Sequence, residues 1–163
     1  MNVNVIKTAQ RILDVYWDRS IPVNVDDIAQ KMNVEVYYLP KLAGGDDISG
    51  RFDIVNGIPT CYIRNTDVEQ RQRFTLAHEL GHFILNHGGG FRDNSASFNM
   101  HNYDPREVDA NAFAAELLMP KIAIDYVIEK LKNIHSIDEF AHLFNVSIPA
   151  MTYRLKNLGI HLS

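Results

Sequence analysis

His78-Glu79-Leu80-Gly81-His82 constrains this chain more than any other stretch of its length, because the surrounding sequence reads as helix. At about 100° per residue, positions 78 and 82 lie about 40° apart on one face and one turn apart along the axis. That spacing lets two imidazoles converge on one metal ion, with Glu79 beside them and free to act as a base. Leu76, Leu80, Phe83 and Ile84 supply an apolar stripe on the same helix. Thr66-x-x-Glu69 has the form of a capping box, so the helix is expected over residues 67–86. The same five residues also suit a surface helix with two solvated imidazoles. The amphipathic run around them favours a built site.

The chain has 163 residues, enough for one domain with a substantial core. Its net charge of −4 gives it no general attraction to nucleic acid or anionic lipid. Residues 1–7 lack the basic-then-apolar layout of a signal peptide, and no apolar run approaches a membrane span. One cysteine excludes an internal disulfide and fits the reducing cytoplasm.

Apolar residues at helical spacing predict a helix over 3–18 and a shorter one over 25–32 that closes on Asn33. Residues 34–39 are rich in β-formers and stop at Pro40. Asn56-Gly57 is a type I′ hairpin pair joining strands at 48–55 and 58–64. A two-residue turn sets Val55 opposite Ile58, Ile54 opposite Pro59 and Phe52 opposite Cys61. Phe52, Ile54, Cys61 and Ile63 then share the apolar face, which makes Cys61 a packing residue rather than a nucleophile. Pro59 cannot donate to a ladder, which suggests an open edge on the second strand. His87 lies about 180° round the helix from His78 and is read as a C-terminal helix residue. Residues 88–103 form a glycine-rich loop placed as a lid or substrate rim.

A catalytic zinc needs a third protein ligand. His101, Asp104, Glu107, Asp109 and Glu116 are the downstream candidates, with Glu107 best placed at the start of a buried helix. That helix opens with Asp104 at the cap, Pro105 at the first position and Glu107 at the third, so a capping role competes for Glu107. Asn111, four residues on, is placed to hydrogen-bond a ligand histidine and hold its tautomer. A helix over 122–132 follows. Ser136-x-x-Glu139 is a second capping box, and two short helices with the outline of a helix-turn-helix close the chain.

His78 to His82, together with Glu107-Val108-Asp109-Ala110-Asn111-Ala112-Phe113-Ala114 and Leu117-Leu118-Met119-Pro120, resembles the ImmA/IrrE family of zinc metallopeptidases. Ile21-Pro22-Val23, Val25-Asp26-Asp27-Ile28-Ala29 and the tail also fit, so the likeness runs over roughly residues 5–160. It implies an α+β fold, a small zincin-like domain with a short antiparallel sheet packed on the active helix. Residues 1–120 would be the core and 121–163 a helical C-terminal subdomain of one metallopeptidase domain. No separate DNA-binding domain is expected. The resemblance further implies one zinc ion held by His78, His82 and Glu107. Glu79 would be the general base; the sequence leaves the oxyanion donor open, with Tyr62, His101 and Tyr103 as candidates. Members of that family cleave helix-turn-helix repressor proteins and release stress or mobile-element genes.

The competing function class is a non-catalytic binding module acting through protein or DNA contacts. Residues 121–163 carry five Lys/Arg against four Asp/Glu, and the last helix offers Arg154 and Lys156. That is poor phosphate-neutralising power, so direct nucleic-acid binding is not expected. The implied partner is a protein substrate, and no membrane is involved.

Overall fold

The computed structural model describes residues 2–86, 92–94 and 103–162. Among these, α1 (Val3–Tyr16) and α2 (Val25–Lys31) precede β1 (Glu35–Leu39), then β2 (Ile48–Val55) and β3 (Ile58–Arg64). The central helix α3 (Glu69–Ile84) follows, then β4 (Arg92–Asn94), α4 (Pro105–Leu118), α5 (Lys121–Lys130), α6 (Ile137–Phe144) and α7 (Ile148–Asn157). The class is α+β, as a small zincin-like domain requires. His87, His101 and most of the expected 88–103 loop lie outside the described residues. Within that stretch Arg92–Asn94 forms a strand. No helix among the described residues is long and apolar enough to cross a membrane.

The sheet has the order β1-β3-β2-β4. Asn56 (φ 51°) and Gly57 (φ 78°) adopt the left-handed conformations of a type I′ turn. The hairpin register is the expected one, with Val55 on Ile58 and Phe52 on Cys61. The sheet is mixed rather than wholly antiparallel, because β1 joins β3 in parallel. β3 is consequently an inner strand, not the open edge that Pro59 suggested. The β1 ladder begins at Thr60, one residue past the proline, so Pro59 meets Ile54 of β2 and owes β1 no donor.

One face of the sheet covers α3. Phe52, Cys61 and Ile63 are buried there, and Phe52 packs on Phe83 at a centroid distance of 5.3 Å. Ile54 shares their alternation but is exposed near the hairpin tip. Two glycines set the closeness of the layers. A Cβ on Gly50 of β2 would meet Thr75 Cγ2 at 2.3 Å, and one on Gly81 would meet Phe113 at 3.1 Å and Ala110 at 3.3 Å. Gly81 thus lets α4 lie against α3. The expected capping box at Thr66 does not form: α3 starts after Val68 with no side-chain cap. Gln72 Nε2 instead donates to the carbonyls of Asp67 (2.7 Å) and Asn65 (3.2 Å), tying the entry turn to the first helical turn.

The tail packs on this core. Ser136 and Glu139 make a complete capping box on α6, and Asn145 (φ 49°) turns the chain into α7. Phe140, Phe144, Met151 and Leu155 are buried in the same apolar cluster as α1, α3 and α4. Arg73 of α3 donates to the carbonyls of Asn145 (3.1 Å) and Phe144 (3.4 Å), and so closes the C-terminus of α6.

Candidate metal centre

Helical geometry turns His78 and His82 the same way, and both are buried. Their Nε2 atoms lie 3.0 Å apart. Asp104 caps α4 by accepting from the Arg106 backbone N–H, with Pro105 next, and this start delivers Glu107 to the imidazoles. Glu107 Oε2 is 3.0 Å from His78 Nε2, and Oε1 is 2.9 Å from His82 Nε2. Burial raises the Glu107 pKa, but hydrogen bonds to and charges of His78 and His82 outweigh it and hold the carboxyl at about 2. One turn along α4, Asn111 Oδ1 lies 2.8 Å from His78 Nδ1. A carbonyl oxygen there can only accept, so Nδ1 carries a proton, and in the neutral ring Nε2 is the atom left to ligate a metal.

The three ligating atoms lie within 4.8 Å of one another, a group that could hold a metal ion. Two imidazole nitrogens and a carboxylate aimed at one point, with one imidazole oriented from behind, form a donor set that suits zinc. Glu79 is fully buried beside His78, and its Oε1 would be 3.1 Å from a Cβ on Gly50. Beneath it, burial first and the Glu79 charge second push the Cys61 thiol well above its ordinary pKa. Cys61 is therefore a protonated, enclosed packing group.

The structure brings together His78, His82, Glu107 and Asn111. The other third-ligand candidates among the described residues are engaged elsewhere. Asp104 caps α4 and pairs with Arg106 (2.9 Å), Asp109 accepts from Asn2 (3.3 Å), and Glu116 forms a buried ion pair with Arg154. Tyr62 does not join the group. It lies on the opposite face of the sheet, stacked on Tyr37 at 5.8 Å. Tyr103 is 77% exposed ahead of α4. Sequence reasoning missed Gly50, although a glycine inside a strand is itself a sign of close approach. It also missed the Glu116–Arg154 pair, whose partners are 38 residues apart and carry no local signal.

A family model, Peptidase_M78, described as an IrrE N-terminal-like domain, matches residues 29–156. "Uncharacterized immunity region protein 2" of Bacillus phage phi105 is 36% identical over 99 residues. That match covers 58% of this chain and 57% of the phage protein, so the chain spans little more than half the length of the curated relative.

Proposed function

The chain belongs to the IrrE N-terminal-like family of M78 peptidases, and from that premise we propose that it is a zinc-dependent endopeptidase acting in the cytoplasm as a single domain. The observation that carries this reading is the convergence of His78, His82 and Glu107 on one point, with Glu79 buried alongside. When bound there, zinc supplies a Lewis acid that lowers the pKa of water and polarises a carbonyl.

The protein's own groups do the rest. His78, His82 and Glu107 hold the ion, and Asn111 fixes the tautomer of His78 from behind. Glu79 is about 100° round the helix from His78, so it reaches the reacting water without being a ligand. It takes the proton as water attacks the peptide carbonyl and returns it to the leaving amine. The closed seam between β2 and α3 excludes bulk water from this carboxylate, which favours efficient proton transfer.

The substrate proposed is a helix-turn-helix repressor protein, whose cleavage releases stress-response or mobile-element genes. The phage relative is named for an immunity region, which supports this assignment. Direct DNA binding by the tail is disfavoured. Arg154, one of two basic residues on α7, is 3% exposed and engaged with Glu116, leaving Lys156 for phosphate contact.

Glu79→Gln keeps the size and polarity of the side chain and removes the base. Incubated with the repressor encoded beside its gene, the variant is expected to retain metal and fold. Cleavage, read by mass spectrometry of the products, should fall by about 10²–10⁴-fold. Wild-type cleavage rates in Glu79→Gln would sink the mechanism. A binding module would instead leave every cellular readout unchanged by this substitution.

A further inference from the structure

The face of α3 that carries the two histidines continues toward the helix N-terminus and ends at Arg71. At about 100° and 1.5 Å per residue, Arg71 lies about 20° from His78 and about 10 Å up the axis. Helical side chains lean toward the N-terminus, so its guanidinium is roughly 10–15 Å from the histidine–glutamate group. An extended peptide covers that distance in about three to four residues.

The fold does little with this charge. Arg71 is half-buried, and among the described residues its one hydrogen bond is a long one, from Nη2 to Ser49 Oγ at 3.4 Å. No described carboxylate pairs with it. It also sits in the first turn of α3, where the helix dipole disfavours a cation. Stability does not explain an arginine here.

Ser49 supplies the independent observation. It is fully buried on β2, immediately before the Gly50 that backs Glu79. Its oxygen accepts from Arg71 and also from Arg64 Nη2 at 3.3 Å. The hydroxyl proton therefore points away from both guanidiniums, and no described residue accepts it. Arg64 is neutralised by Asp67 at 2.7 Å, which leaves the Arg71 charge as the net charge of the cluster. Two guanidiniums converge on one hydroxyl oxygen with one charge unspent, next to the seam that holds Glu79. An oxyanion complements that arrangement, and a carboxylate matches the planar fork of arginine.

We propose that Arg71, backed by Ser49 and Arg64, determines substrate specificity by taking the carboxylate of an Asp or Glu three to four residues from the bond cleaved. The inference rests on the peptidase reading for its substrate, but the pocket can be probed apart from cleavage.

Two measurements test it. In the first, the zinc-loaded protein, Arg71→Gln and Arg71→Glu each digest a proteome-derived peptide library, and mass spectrometry reads the cut sites. The wild type should enrich Asp and Glu three or four positions from the cut. Arg71→Gln should lose the enrichment. Arg71→Glu should shift it to Lys and Arg, with the acidic-to-basic ratio changing by about tenfold or more. Cut sites without acidic enrichment, or an unchanged preference in Arg71→Glu, overturn the proposal. In the second, the wild-type protein is titrated with glutarate and with neutral glutaramide, followed by amide chemical shifts. Saturable shifts at Ser49 and Arg71 are expected with glutarate alone, and not in Arg71→Gln. If metal-loaded protein cuts no peptide, the peptidase reading fails and the titration decides the pocket. Glutarate shifts then support a carboxylate site, and their absence overturns it.

Discussion

A methyl group at position 50 has nowhere to go: its carbon would lie 2.3 Å from Thr75 Cγ2 and 3.2 Å from Glu79 Cγ. Gly50→Ala must therefore push β2 off α3 or rotate Thr75 and Glu79, at an expected cost of about 1–3 kcal/mol. The atoms nearest a Cβ there belong to Thr75 and Glu79 and not to His78 or His82, so metal content should hold while cleavage falls. Thr75→Ser removes the methyl that clashes, so Gly50→Ala/Thr75→Ser should recover much of both losses. Urea unfolding, metal analysis and cleavage on the four proteins read this directly, and equal stability of Gly50→Ala and wild type would contradict the packing. Other residues of the site differ in how far sequence alone could place them. The directions of His78, Glu79 and His82 follow from helical periodicity. Glu107 was one of five candidates, because the choice depends on which face of α4 meets α3. The contact of Gly81 with Phe113 and Ala110 decides that, across about 30 residues of chain.

The elements were most legible where their signals were local. The Asn56-Gly57 hairpin and the Ser136–Glu139 box need only a few adjacent residues, and both form as expected. The parallel pairing of β1 with β3 joins segments separated by the whole hairpin, and nothing in residues 34–39 announces that neighbour. Pro59 pointed to an edge because a missing donor is read strand by strand, whereas the ladder starts one residue later. The two sequence-level capping boxes provide a matched test. Ser136 Oγ accepts from the Glu139 backbone N–H at 3.2 Å, and Glu139 accepts in return from the Ser136 N–H at 2.9 Å. Ser136→Ala should cost about 1 kcal/mol. Thr66→Ala, at a position where no cap forms, should change stability by less than about 0.5 kcal/mol. Denaturant midpoints of the two variants check the contrast. Equal losses would mean that α3 is capped by Thr66 in solution.

At the scale of the molecule, the tail and the helices of the candidate metal centre share one apolar cluster, and the polar link between them is buried. Arg154 of α7 forms an ion pair with Glu116 of α4, and its Nε donates to the Met119 carbonyl at 3.0 Å; both side chains are 3% exposed. Glu116 and Glu107 belong to the same helix, so this pair ties α7 to the element that carries Glu107 into the candidate metal centre. Desolvating two charges consumes most of their attraction, so the pair adds little net stability over apolar groups of equal size. Removing one partner is a different matter, because it strands the other charge in the core. Arg154→Met should therefore cost about 3–5 kcal/mol, and Glu116→Gln a comparable amount. Arg154→Met/Glu116→Leu should recover most of that, short of about 1 kcal/mol or more for the Met119 carbonyl left without its donor. The form of the unfolding curve carries a second reading. If α5 to α7 and the rest of the chain are one cooperative unit, all four proteins unfold in a single transition reported alike by far-ultraviolet ellipticity and Trp17 fluorescence. Zinc should then shift that whole transition upward. An early helical transition in Arg154→Met, with Trp17 unmoved and zinc affecting only the later step, would show that the tail folds apart from the metal centre and that α7 does not support Glu107.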